Sequence, residues 1–266
     1  DIDLISPADI VEVISLVNLI DRKEASGKIY DCRIIFEAVP EVMSLKIEAI
    51  DYIDSISKHE AVVASTTSTF LVNDLAVKSK YPERFLNAHW LNPAHLIPLV
   101  EVSKGDNTSE ETAKTLVESL EAIGKVPIVC AASAGYIVPR IQALAMNEAA
   151  RLVEEGVASA EDVDKAVNLG FGLRFSVLGL LEFIDWGGGD ILYYASNYLA
   201  KEIDGRYRAP EVVSAHMKLE KRGIKDGKGF FDYKDVDLNS YRDQRMKQFA
   251  DMLRYRDLLP VFKRVK

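Results

Sequence analysis

Arg33-Ile34-Ile35-Phe36-Glu37-Ala38-Val39 is the first of five short β-branched runs in the chain, followed by Ala61 to Ser65, Phe85 to His89, Leu99 to Val102 and Val126 to Cys130. The runs alternate with segments whose apolar residues fall at helical spacing. That alternation is the signature of parallel strands joined by crossover helices. The runs are short and apolar, as strands buried on both faces should be. Thr108-Ser109-Glu110-Glu111 reads as a capping box that opens a helix ending at Gly124, with a strand after it. Beyond Ala134 the pattern becomes helical throughout. Ile141 to Glu155 is helical up to Gly156, and Ser159-Ala160-Glu161-Asp162 starts a helix running to about Leu169. The expectation is an α/β domain over 1–134 and an all-α domain over 135–266.

An α/β domain of the Rossmann type begins with a strand and a Gly-x-Gly-x-x-Gly turn, and this chain contains no such motif. Gly187-Gly188-Gly189 follows no strand and reads as a loop between helices. Either the first strand and turn lie upstream of Asp1, or no dinucleotide is bound; the first is the expectation.

The composition of the 266 residues is 48% hydrophobic and 28% charged, with a net charge of -8, which leaves no basic excess to neutralise phosphates. Neither nucleic acid nor an anionic membrane surface is the expected partner; a small-molecule substrate is. No apolar stretch approaches the roughly 20 residues of a membrane helix. The two cysteines, Cys32 and Cys130, lie in apolar runs and give no disulfide framework, which fits a reducing, cytoplasmic setting. The four histidines include no HxxxH pair, so no metal site is expected.

His89 closes a strand-like run, where open α/β sheets bind their ligands, and Glu101 follows in Leu99-Val100-Glu101-Val102. A histidine with a carboxylate on its second ring nitrogen is suited to proton transfer near neutral pH. By spacing alone, a satisfied core histidine beside a surface glutamate is the better reading.

Phe36-Glu37-Ala38-Val39-Pro40-Glu41, Lys46, Ala64-Ser65-Thr66-Thr67-Ser68 and Asn87-Ala88-His89-Trp90-Leu91-Asn92-Pro93 through Pro98-Leu99-Val100-Glu101-Val102 resemble the 3-hydroxyacyl-CoA dehydrogenase family. The likeness continues through Met146-Asn147-Glu148-Ala149, Arg151 to Gly156 and Gly223-Ile224-Lys225-Asp226-Gly227-Lys228-Gly229-Phe230-Phe231-Asp232-Tyr233. It implies an NAD-dependent oxidoreductase with His89 as base, Glu101 orienting it, and Ser68 contacting both substrate and cofactor. Further NAD contacts implied are Glu41, Lys46, Asn92 and Lys225. Ser68 also reads as a helix N-cap ahead of Phe70 to Val77, and a lysine between glycines is commonly just solvated. The resemblance further implies a homodimer. Phe183-Ile184-Asp185-Trp186, Tyr193-Tyr194 and Tyr198 offer aromatic anchors, although such a stripe taken alone is more often core.

The chain departs from the family pattern in several places, including His95-Leu96-Ile97-Pro98, which lacks the lysine that often precedes Leu-Val-Glu. Thr66-Thr67-Ser68-Thr69 replaces Asn-Thr-Ser-Ser, and Pro139 stands before Arg140 where the family has a substrate-binding asparagine. Arg174, in Gly172-Leu173-Arg174-Phe175, replaces part of a proline-rich run and resembles the gulonate and carnitine dehydrogenase branches, where a guanidinium can clamp a free carboxylate. Its bland alternative is a surface ion pair. Three functions follow in order: interconversion of a short 3-hydroxyacyl-CoA and its 3-oxo partner; oxidation of a free β-hydroxy acid held by Arg174; and a non-catalytic structural or NAD-binding scaffold.

Overall fold

The computed structural model describes residues 6–259. The chain divides into two compact units, 1–148 and 149–266, and the division falls inside one long helix.

The first unit runs α1 (Pro7–Ser15), α2 (Ala25–Lys28), β1 (Ile34–Glu37), α3 (Met43–Ile56), β2 (Val62–Ser65), α4 (Val72–Ala76), β3 (Phe85–Trp90), β4 (Leu99–Lys104), α5 (Glu110–Ala122) and β5 (Val126–Ala131), with the start of α6 (Val138–Glu154). All five expected strands form and pair in sequence order in one sheet. They are not all parallel as expected: β4 runs antiparallel to β3, while the other three pairings are parallel. The cause is the connection. Leu91 to Pro98 contains no helix and is too short for a parallel crossover, which takes about a dozen residues or more.

The burial expectation also needs correcting at both edges of the sheet, where Phe36 of β1 is exposed as well. Strands β2, β3 and β4 are buried, but Val126, Ile128 and Val129 of the edge strand β5 are exposed. Side chains alternate between the two faces of the sheet. Val62, Ala64, Leu86, Ala88, Val100 and Val102 pack on Ala113, Leu116 and Leu120 of α5. Val63 and Phe85 pack on Ile50 and Ile53 of α3 and on Val72 and Leu75 of α4. The same alternation carries Asn87, His89, Glu101 and Ser103 to the face opposite α5.

The α5 cap sits one residue later than expected. Ser109, not Thr108, is the N-cap and accepts from Thr112 N. Thr108 instead donates to Phe85 O and accepts from Gly105 N.

The second unit continues from α6 through α7 (Ala160–Ala166), a π-helical turn over Val167–Phe171, α8 (Gly172–Phe175), α9 (Leu180–Gly187), α10 (Gly189–Glu202), α11 (Glu211–Lys218) and α12 (Leu238–Tyr255). Ser159 caps α7 as expected, and Gly188 makes the break between α9 and α10. After α11 the chain coils around Asp185 of α9. This buried carboxylate accepts from Phe230 N at 3.0 Å, Phe231 N at 2.8 Å and the Tyr233 hydroxyl at 3.2 Å. Gly223 has φ 112°, and a Cβ there would overlap the Asp185 backbone; one at Gly229 would overlap the Asp185 carboxylate. The glycines of this motif are therefore a packing requirement. Gly223→Ala is expected to cost about 2–5 kcal/mol through backbone strain and forced displacement. A urea midpoint unchanged from wild type would mean that the loop does not sit on Asp185.

Candidate active site

His89 lies near the end of β3 and is paired in register with Glu101 of β4. Residues directly opposite in an antiparallel pair share a face, with Cβ atoms about 5 Å apart. The antiparallel turn that departs from expectation is thus what brings the two side chains together. His89 Nδ1 lies 2.9 Å from Glu101 Oε2, with both side chains buried. A carboxylate oxygen only accepts, so the proton sits on Nδ1 and Nε2 keeps its lone pair.

The other Glu101 oxygen, Oε1, accepts from Ile137 N at 2.9 Å and Val138 N at 2.8 Å. These are donors at the N-terminus of α6, where a helix lacks internal partners and favours negative charge. Pro139 stands in the first turn of that helix, where a missing N–H costs nothing.

A second cluster lies at the carboxyl ends of β1 and β2. Lys46 of α3 is fully buried, its ammonium 3.1 Å from each Glu37 oxygen, 3.4 Å from Val39 O and 3.4 Å from Glu41 Oε2. Glu37 also accepts from Ser65 Oγ and from Val39 N at 2.7 Å. Glu41 accepts from the Thr67 and Thr69 hydroxyls and from Thr69 N. Partial burial would raise the Glu41 pKa, but those hydrogen bonds and the Lys46 charge outweigh it and hold the carboxyl below its ordinary value of 4.5. Its contribution to stability is therefore fully present above that value and is lost as pH falls through the depressed one.

Ser68 and Asn92 are exposed at the ends of β2 and β3, and neither side chain hydrogen-bonds to another described residue. Ser68 is not a helix cap. Leu71 occupies the N-cap of α4, and Thr67 Oγ1 accepts from Thr69 N and Phe70 N in its place. Exposed Ser68 and Asn92 at these strand ends have polar atoms with capacity to spare, as the polar ring end of a nicotinamide coenzyme would need, and Glu41 beside them is half-exposed. Lys46 has none: its ammonium is enclosed by protein acceptors.

In the second unit Lys225 is ion-paired with Asp190 at 2.5 Å and holds that carboxyl below its usual range. Arg174 is exposed; its Nε donates to Gly170 O at 3.0 Å and its guanidinium lies over the Phe183 ring at 5.1 Å. Its terminal nitrogens have no protein partner among the described residues, so the surface ion pair does not form. Phe183 and Trp186 pack internally against Phe175 and Tyr241, whereas Ile191, Tyr194 and Tyr198 form an exposed stripe along α10.

Sequence reasoning missed Glu37, Thr67, Asn87 and Tyr136. Glu37 carried a signal, an acid inside an apolar strand, which demands a buried cation. Tyr136 carried none.

A sheet presenting a histidine–carboxylate pair at a strand end, followed by a helical unit, is the arrangement expected of a dehydrogenase of the two-domain α/β-then-α kind. Residues 6–133 match the family described as 3-hydroxyacyl-CoA dehydrogenase, NAD binding domain, and residues 135–233 match 3-hydroxyacyl-CoA dehydrogenase, C-terminal domain. The chain belongs to the 3-hydroxyacyl-CoA dehydrogenase family and is an NAD-dependent oxidoreductase. It is 32% identical over 222 residues to 5-formyl-3-hydroxy-2-methylpyridine 4-carboxylate 5-dehydrogenase of Mesorhizobium japonicum, spanning 83% of this chain and 72% of that one. It is 32% identical over 204 residues to 3-hydroxybutyryl-CoA dehydrogenase of Clostridioides difficile, spanning 76% and 72%. The crystal structure of a 3-hydroxyacyl-CoA dehydrogenase from Archaeoglobus fulgidus superposes with a TM-score of 0.76 at 34% identity, covering 87% of this chain and 79% of that one.

Proposed function

We propose that the chain interconverts a short 3-hydroxyacyl-CoA, such as 3-hydroxybutyryl-CoA, and the 3-oxoacyl-CoA. The reading rests on the buried 2.9 Å contact between His89 Nδ1 and Glu101 Oε2. His89 Nε2 takes the proton of the substrate hydroxyl as the carbonyl forms, and Glu101 stabilises the resulting imidazolium and fixes its Nδ1 edge. NAD supplies the acceptor for the hydride leaving the same carbon. Ser68 steadies the substrate oxygen. Glu41, Ser68, Asn92 and Lys225 contact the coenzyme, and Lys46 acts on it through Glu41. Residues 1–134 serve as the NAD-binding domain and 135–266 as the substrate and dimerisation domain; the α10 stripe of Ile191, Tyr194 and Tyr198 suits a homodimer contact.

A second reading keeps the chemistry and changes the substrate to a free β-hydroxy acid. The unpaired fork of Arg174 favours it, since a guanidinium binds a carboxylate with two parallel hydrogen bonds. So does the carboxylate in the name of the Mesorhizobium relative.

Consumption of reduced nicotinamide with acetoacetyl-CoA against free 3-oxo acids separates the two. Turnover of the thioester alone supports the first reading, and turnover of the free acid alone replaces it with the second. If Arg174 is the clamp, Arg174→Met raises KM for the free acid by about ten- to a hundred-fold, the value of a charged hydrogen bond, and spares the thioester. Equal effects on both would remove Arg174 from substrate binding.

A further inference from the structure

Tyr136 lies between β5 and α6, in the segment that also caps Glu101. Its ring stacks on the His89 imidazole, with centroids 5.2 Å apart and planes 14° from parallel. Its hydroxyl donates to Thr67 O at 2.8 Å and accepts from Asn87 Nδ2 at 3.0 Å. Asn87 spends its second N–H on Phe70 O at 3.0 Å, while its buried Oδ1 is left without a partner. Tyr136 has φ 48°, a conformation that costs a bulky residue energy and persists only where its surroundings impose it. An unpaired buried oxygen and a strained tyrosine are both costs to stability, and both are incurred at the residues that fix this ring.

We propose that Tyr136 is a positioning residue for His89: the hydroxyl, tied to Asn87 and Thr67, locks the phenol ring, and the ring locks the plane of the imidazole. The inference rests on the reading of His89 as base. Glu101 fixes only the Nδ1 edge, about which the imidazole can still tilt. A ring stacked on the imidazole face removes that freedom. Thr67 belongs to the same loop as Ser68, so the tether also holds the loop at a set height beside the imidazole. The titratable groups acting on Tyr136 are Glu41, Cys130 and Glu101, and burial raises its hydroxyl far above the range in which it could ionise. The phenol therefore stays neutral and keeps its donor bond to Thr67 O.

The test compares Tyr136→Leu, which keeps apolar cover but removes the π face, with Tyr136→Phe, which keeps the ring. The first readout is the titration of the His89 ring followed by NMR without coenzyme. The π face favours the imidazolium, so Tyr136→Leu is expected to lower the His89 midpoint by about half a unit to one unit, and Tyr136→Phe to leave it near wild type. The second is kcat, expected to fall roughly ten- to a hundred-fold in Tyr136→Leu with KM little changed, and to recover in large part in Tyr136→Phe. A simple loss of folded protein would lower the apparent kcat of Tyr136→Leu but would not move the midpoint. An unmoved or raised midpoint overturns the inference. His89→Gln separates the two levels: if it keeps wild-type turnover the base assignment fails, whereas if it is inactive and Tyr136→Leu is not, only the role of Tyr136 fails.

Discussion

His89→Gln is expected to reduce kcat by about 10²–10⁴-fold, the usual share of a positioned acid–base group, while leaving the protein folded. The Glu101 carboxylate is not left without partners in this variant, because its Oε1 still accepts from Ile137 N and Val138 N. What is lost is the lone pair of Nε2. Turnover should fall far more than affinity for NAD or the urea midpoint. Normal turnover would sink the assignment. Loss of the midpoint along with activity would point to a core role for His89, which its spacing also allowed.

The strands were legible because each is a short β-branched run bounded by helical spacing, and the glycine stops at Gly124 and Gly156, both at positive φ, were legible because only glycine reaches that backbone freely. The direction of β4 depended on a connection whose length had to be weighed against a crossover. Weighed that way, the short span from Leu91 to Pro98 argues for an antiparallel return, while the register that sets His89 opposite Glu101 comes from the structure. Ser68 and Asn92 came from resemblance and proved exposed, while Lys46, also from resemblance, proved enclosed. No spacing rule could have supplied Tyr136. Its ring meets His89 only because a positive-φ residue turns the chain back over β3, and its hydroxyl meets Thr67 across a separation that local patterns do not encode.

Lys46→Met should produce the largest loss of stability, about 3–5 kcal/mol, because it leaves the Glu37 carboxylate buried beside a methyl group. Methionine fills most of the lysine stem, so packing accounts for little of that cost. Coupling distinguishes charge from shape. Glu37→Gln in the same chain removes the stranded charge, and the double variant should be more stable than Lys46→Met alone; simple additivity of the two losses would refute a direct ion pair. The effect should also reach the coenzyme. Lys46 is one of the groups holding Glu41 ionised, and Glu41 in turn holds the hydroxyls of Thr67 and Thr69 and the Thr69 backbone N–H, on either side of Ser68. Once the ammonium is gone, that loop keeps its sequence and loses an anchor. KM for NAD should therefore rise in Lys46→Met under conditions where the variant is still fully folded, with kcat at saturating NAD falling less than in His89→Gln. An unchanged KM would confine Lys46 to the core and leave Glu41 to order the loop alone.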